Sequence, residues 1–242
     1  MERDEVFDED YLYFYETLLT EEVSDRQADL IWRLLELEEG MEVLDLACGH
    51  GRIANRLAER GARVTGLDAT PLFLQRARED AERRGVDVEY VEGDMRDLPW
   101  EERFDRAVCW FTSFGYFEDD ENRQVLRGVR RALKPGGAFL LDVQNLPFIL
   151  RNLQADSVWE RGGDLMIDRH DLDLSSGRMN AERIIVRGGH TRRFPYFVRM
   201  FTFTELRGWL LAAGFSNVTA HGRGEGDELT LESPRLFTLA RR

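Results

Sequence analysis

Apolar positions near the start of the chain recur at helical spacing: Tyr11, Leu12, Phe14, Tyr15, Leu18 and Leu19. A second helix is expected to open at Ser24, with Gln27 completing a capping box. Its apolar stripe is Ala28, Ile31, Trp32, Leu34 and Leu35, and Gly40 is its expected stop. From residue 41 short apolar runs alternate with amphipathic ones. Strands are predicted at Met41–Leu46, Ala62–Leu67, Val86–Val91, Phe104–Phe111 and Ala138–Val143. Helices are predicted over Arg52–Arg60, from Pro71 to about Arg84 behind a Thr70 cap, and over Asp119–Leu133. Lys134-Pro135-Gly136-Gly137 reads as a turn.

Strands separated by such helices need crossover connections, hence a parallel sheet covered on both faces. The alternation stops near Val158. From there to Thr202 the chain reads as strands alone, with turns at Ser175-Ser176-Gly177 and Gly188-Gly189. A helix capped by Thr204 then runs to Gly214. Two last strands, Asn217–His221 and Arg235–Ala240, flank the helix-free loop Gly222–Pro234. The expected fold class is α/β: a doubly wound, seven-stranded, mostly parallel sheet with an antiparallel C-terminal hairpin, plus a small antiparallel β insertion. Residues 1–40 form an N-terminal helical cap, 41–150 with 203–242 the sheet domain, and 151–202 the insertion, as a substrate lid or a dimer interface.

Composition narrows the partners. A net charge of −13 sets the chain against nucleic acid. The one basic stretch, Arg187 to Arg199, reads as a solvated strand pair. Cys48 and Cys109 sit in apolar surroundings and read as buried free thiols, which points to a reducing, cytoplasmic compartment. Apolar runs such as Ala138–Leu141 are too short to span a bilayer. The opening residues Met1-Glu2-Arg3-Asp4-Glu5 lack the apolar region of a signal peptide. No metal-ligand spacing of Cys, His or carboxylates occurs, so no metal is expected.

The chemistry concentrates in Val43-Leu44-Asp45-Leu46-Ala47-Cys48-Gly49-His50-Gly51-Arg52: an apolar strand, an acid, and a Gly turn into a helix. Gly49 and Gly51 let the backbone bend and approach a ligand closely. In a doubly wound sheet, ligands bind beyond the strands' carboxyl ends where the strand order reverses. Asp68 closes the next strand, where an acid accepts bonds from ribose hydroxyls. Asp94 follows the third strand, where it can take an adenine amino group while Met95 packs on the ring. Three acids at successive strand ends trace one nucleoside.

Together with Phe104-Asp105 and Leu133-Lys134-Pro135-Gly136-Gly137, these features resemble the class I S-adenosylmethionine-dependent methyltransferases, of the bacterial small-molecule type. The resemblance is strong from Met41 to Asn145 and extends through Phe203–Phe215. Ala47 stands where many members have the first glycine of the turn. The resemblance implies a cofactor site made by Asp45, Ala47, Cys48, Gly49, Gly51, Asp68, Ala69, Asp94, Met95, Trp110, Phe111 and Tyr15, with S-adenosylhomocysteine as product. It places the acceptor beside Phe114, Tyr116, Gln144 and Asn145, under a roof carrying Arg192, Tyr196 and Arg199. The acceptor is a small molecule whose methylated atom, nitrogen, oxygen or carbon, stays open. Tyr116, His190 and Asp142 are candidate bases. Two other readings stand beside this one. A non-catalytic S-adenosylmethionine sensor would carry the same site. Gly49-His50-Gly51-Arg52-Ile53-Ala54 also fits a dinucleotide fingerprint, but that fold usually has an apolar residue where Asp45 stands, and the Lys134-Pro135-Gly136-Gly137 turn and the closing hairpin have no role in it. A homodimer is also compatible.

Overall fold

The computed structural model describes residues 6–222 and 227–242. The opening stretch at 1–5 and positions 223–226 of the Gly222–Pro234 loop lie outside it. The first helix, α1 (Glu9–Tyr15), is capped by Asp8, whose carboxylate accepts the Asp10 and Tyr11 N–H groups at 3.0 Å. The second, α2 (Glu21–Leu34), opens at a Thr20 cap rather than at Ser24. Glu21 and Glu22 in its first turn favour that start through the helix dipole, and Ser24 is buried inside the helix. Gly40 does not end this helix. It lies in the turn beyond and donates to the Gly61 carbonyl at 2.8 Å.

The sheet domain follows the predicted alternation. Its elements are β1 (Glu42–Leu46), α3 (Ala54–Glu59), β2 (Arg63–Asp68), α4 (Pro71–Arg84), β3 (Val88–Glu92), β4 (Phe104–Cys109), α5 (Asp119–Ala132) and β5 (Leu133–Gln144). Helix α4 ends on Gly85 at φ 69°, the left-handed stop that glycine adopts without a Cβ clash. Thr70 precedes it but makes no side-chain cap bond. The Asp68 carboxylate takes the Thr70 N–H instead. Lys134-Pro135-Gly136-Gly137 loops out of β5 rather than preceding it, because Phe104 pairs with Leu133 and Arg106 with Ala138. Lys134 Nζ secures that loop on Asp105 at 2.9 Å.

A short helix, α6 (Leu146–Arg151), escaped the periodicity argument because none of its residues is buried. Four antiparallel strands follow: β6 (Asp156–Arg161), β7 (Asp164–Asp173), β8 (Arg178–Arg187) and β9 (His190–Arg199). Helix α7 (Phe203–Ala212) begins at Thr202, not Thr204, since the Thr202 hydroxyl accepts the Glu205 N–H. Strands β10 (Ser216–His221) and β11 (Arg235–Arg241) complete the chain.

The seven-stranded sheet has the order β10-β11-β5-β4-β1-β2-β3. Strands β1 to β5 pair in parallel, and β11 is antiparallel to both β5 and β10. Each face is covered. Leu44, Phe104, Phe139 and Phe201 pack with α5 and α7 on one side, and Val43, Val108, Leu140 and Phe237 with α2 and α3 on the other. Fully burying one such side chain contributes roughly 1.5–3 kcal/mol. The chain leaves β1 toward β2 and later crosses to β4 on β1's other side, so the order reverses between β1 and β4. The four-stranded sheet buries Met166, Ile185 and Phe194 against Phe14 of α1. Among the described residues no helix is long and apolar enough to cross a membrane.

Candidate active site

A cavity opens at the carboxyl ends of β1, β2 and β4, beside the reversal point. Including its mouth it spans about 890 Å³. Asp45, Ala47, Cys48, Gly49, Asp68, Ala69, Met95, Trp110, Phe111 and Tyr116 line it, with Phe7 and Tyr11 on its N-terminal side. The turn after β1 needs left-handed backbone at Ala47 (φ 55°), Gly49 (φ 57°) and Gly51 (φ 77°). Ala47 therefore holds a strained conformation where glycine would be free. A Cβ on Gly51 would come within 2.8 Å of the Ala77 Cβ, so helix α4 can approach this turn only because Gly51 has no side chain.

Asp45 is 2% exposed, and its Oδ2 has no hydrogen-bond partner among the described residues. Burial pushes its carboxyl up to about 7, with the nearby Asp68 adding to the rise and Arg52 opposing it. Asp68 is better satisfied. Its Oδ2 accepts the Gly49 N–H and its Oδ1 the Thr70 N–H, each at 2.8 Å. Burial still raises its carboxyl above the usual range. The third acid differs from expectation. Gly93 and Met95 line the cavity but Asp94 does not. Arg96 folds back on Asp94, with Nη2 at 2.7 Å and Nε at 3.1 Å, because it lies only two residues on.

Several lining residues were not anticipated. Arg52, 8% exposed, donates to Gln27 Oε1 at 2.6 Å, and its guanidinium lies 5.2 Å from the Phe111 ring centroid. Trp110 Nε1 donates to the same Gln27 oxygen at 3.0 Å. The signal for Arg52 was its place directly after Gly51, where a long side chain reaches back over the turn. Burial lowers Arg52 to about 10, so it stays charged near neutrality. His50 lines the cavity too, and burial brings it down to about 4, leaving a neutral ring. Tyr11, rather than Tyr15, faces the cavity. Tyr15 stacks behind it at 4.3 Å between ring centroids.

The expected acceptor residues divide. Tyr116 lines the cavity, with its phenol driven well above the ordinary value by burial. Phe114 does not: it is fully buried, 5.6 Å from Phe201, in the sheet core. Gln144 pairs with Arg235 at the end of β5, outside the cavity lining. Asn145 spends its amide on the Thr230 and Ser233 carbonyls. Arg192 is held by Asp8 and Asp10, and Arg199 by Asp119, Glu205 and the Met200 carbonyl. Tyr196 bonds to Asp168. Two candidate bases are displaced as well. His190 is exposed at the β8–β9 hairpin opposite Arg187. Asp142 is buried, accepting the Phe111 N–H at 2.9 Å and Arg235 Nε at 2.7 Å. Among the described residues no cluster of His, Cys, Asp or Glu could hold a metal ion.

Comparison with known proteins bears on this geometry. A methyltransferase domain family matches residues 43–137, which hold β1 to β4 and the turn. A cypemycin N-terminal methyltransferase from Streptomyces sp is 31% identical over 209 residues, covering 84% of each chain. The CcbJ methyltransferase of Streptomyces caelestis shares the fold, with a TM-score of 0.78 at 24% identity over 90% of this chain and 88% of that one. So does an S-adenosylmethionine-bound amino pentose methyltransferase from Micromonospora echinaspora, with a TM-score of 0.65 at 24% identity over 92% and 91%. With the Gly turn, the acid-lined cavity and the antiparallel hairpin in place, this chain belongs to the S-adenosylmethionine-dependent methyltransferase family.

Proposed function

We propose that the cavity holds S-adenosylmethionine and presents its methyl group to an amine of a small molecule. The observation that carries the cofactor's placement is the buried, unpartnered Oδ2 of Asp45 beside the glycine turn. An orphaned carboxylate oxygen costs stability unless a ligand partners it, and a cationic group is the natural partner. The donor set fits the cofactor. Asp45 would meet its positive amino acid end, Asp68 the ribose hydroxyls, and Met95 the adenine. Asp94 would reach the adenine only through competition with Arg96. When bound, the cofactor supplies a methyl group already activated by its positive sulfur.

The protein's task is then to hold the acceptor in line and exclude water. Phe7, Tyr11, Phe111 and Tyr116 form an aromatic wall that favours a cation developing at the acceptor. An amine needs no strong base, and the wall offers none. The Tyr11 and Tyr116 phenols stay protonated, and neutral His50 is too weak a base to ionise a hydroxyl. Two of the relatives act, by name, at an N-terminus and on an amino pentose, which supports this choice. Residues 6–40 and the four-stranded sheet act together as a cap and roof: Arg192 and Arg187 of the sheet grip Asp10 ahead of the cavity-lining Tyr11. The net charge of −13 disfavours nucleic acid as substrate, and the two buried free thiols suit a reducing cytoplasm.

The test is incubation with S-adenosylmethionine and matched panels of small amines and alcohols, following S-adenosylhomocysteine release. Turnover with amines and not alcohols supports the proposal. Turnover confined to alcohols overturns the amine, and tight cofactor binding without turnover on any acceptor favours a sensor.

A further inference from the structure

Two opposite charges line the cavity without pairing with each other. Asp45 Oδ2 is buried and unpartnered among the described residues. Arg52, at the far end of the glycine turn, is buried in the same lining, with its guanidinium over the Phe111 ring. Its Nη1 donates to Gln27 Oε1 at 2.6 Å. Among the described residues no carboxylate forms an ion pair with Arg52, and its Nε and Nη2 make no hydrogen bond. Each charge still acts on the other, with Arg52 opposing the rise of the Asp45 carboxyl. They are close, then, but not bonded. A buried cation without an anion is costly, and contact with one aromatic face offsets only part of that cost.

Gln27 of α2 decides which part of the guanidinium is left over. Its Oε1 accepts from both Arg52 Nη1 and Trp110 Nε1, the latter at 3.0 Å. Two N–H donors on one atom require the amide oxygen there, so the orientation of the Gln27 side chain is set. Arg52 is thus held at Nη1 by Gln27 and on one face by Phe111. What remains is the edge formed by Nε and Nη2, whose parallel N–H groups match the two oxygens of a carboxylate.

We infer that this edge of Arg52 takes the carboxylate of an α-amino acid group whose ammonium meets Asp45, and that Gln27 is the positioning residue for Arg52. The inference rests on the cofactor reading above, since the methionyl end of S-adenosylmethionine is such a group. Its two charges sit on neighbouring atoms of one carbon. They need an acid and a base that stand near each other and are both unspent, as Asp45 and Arg52 are. A plain amine would satisfy Asp45 but would place a second positive charge beside the buried guanidinium, which it leaves without a partner. A site built for the carboxylate therefore rejects the analogue that lacks it.

Calorimetry compares three ligands: S-adenosylhomocysteine, its decarboxylated analogue, which keeps the amine, and methylthioadenosine, which lacks both groups. The parent protein is expected to bind S-adenosylhomocysteine about tenfold more tightly than the decarboxylated analogue, the effect of a hydrogen bond to a charged group. Arg52→Met keeps the length of the side chain and should bind these two equally, with methylthioadenosine unaffected. Gln27→Leu keeps the charge but frees the guanidinium, and should reduce the preference while leaving methylthioadenosine binding as it was, a split that a general loss of structure would not give. Equal binding of the first two ligands by the parent protein overturns the role of Arg52 and needs no variant to show it. A preference that survives in Arg52→Met overturns it too, and one undiminished in Gln27→Leu overturns the positioning role. Protein loaded with S-adenosylhomocysteine is also titrated with glycine and methylamine. A preference for glycine that Arg52→Met abolishes, with no discrimination between the first two ligands, moves the carboxylate to the acceptor and overturns its assignment to the cofactor. Failure of the parent protein to bind S-adenosylhomocysteine at all overturns the cofactor site itself.

Discussion

The Gly49 N–H donates to Asp68 Oδ2 at 2.8 Å, tying the turn after β1 to the end of β2. Asp68 thus supports the glycine turn in addition to facing the cavity. We expect Asp68→Ala to weaken S-adenosylmethionine binding by about 1–3 kcal/mol on calorimetry, the range for losing a hydrogen-bonded charged partner. Unchanged affinity would remove Asp68 from the ribose.

Asp45 gives binding a pH dependence whose sign is fixed. Its folded carboxyl lies at about 7, raised from 3.8 by burial. Between those values the free folded protein binds a proton that the unfolded chain releases. Its contribution to stability is therefore fullest below the unfolded value and is lost as pH rises toward 7. A cationic ligand reverses the preference by favouring the carboxylate. S-adenosylmethionine affinity should then rise with pH up to about 7, and Asp45→Asn should flatten the profile. A wild-type profile that is flat or falls over that range would contradict the placement of the cation at Asp45.

Gly51→Ala should damage both fold and site. The new Cβ would meet Ala77 Cβ at 2.8 Å, with φ at 77°. A loss of roughly 1–3 kcal/mol in denaturant unfolding is expected from such overpacking, with weaker cofactor binding. A variant as stable as the parent would show that α4 can shift away from the turn.

Asp142 holds the loop after β4, where Phe111 and Thr112 adopt left-handed backbone at φ 61° and 59°. It accepts the Phe111 N–H on its side chain and the Thr112 N–H on its carbonyl. Asp142→Ala would leave Arg235 and the Phe111 N–H without this partner, and should cost roughly 3–5 kcal/mol of stability. Lost turnover with undiminished stability would instead return Asp142 to the role of base.

Helix α1 is latched to the four-stranded sheet by charge. Arg187 Nη1 lies 2.8 Å from Asp10 Oδ1, and Arg192 Nε 2.9 Å from Asp10 Oδ2. These groups are partly exposed, so salt should weaken the latch. Asp10→Asn should speed hydrogen exchange in α1 and shorten the residence time of S-adenosylhomocysteine. Unchanged exchange would show that Phe14 packing alone holds the helix.

Local signals were legible wherever the chemistry is local. Helix Pro71–Arg84 was readable to the residue because Pro71 and Gly85 punctuate it. The glycine turn and Asp68 were readable because their partners lie within a strand, a turn and a helix of one another. Even Arg96 on Asp94 is a two-residue relationship that charge spacing could have flagged. Arg192, Arg199 and Asn145 were misplaced because their partners, Asp10, Asp119 and Thr230, lie 182, 80 and 85 residues away.

From the order of apolar runs, turns and glycines alone, the chain already specified a doubly wound sheet, its antiparallel end and the glycine turn that lines the cavity. These depend on backbone geometry and periodicity, which neighbouring residues dictate. Which tyrosine faces the cavity, and which buried acid lacks a partner for one oxygen among the described residues, were decided only by tertiary structure. A charged side chain takes whichever partner packing brings within 3 Å, and desolvation then determines which unmet bond is left for a ligand.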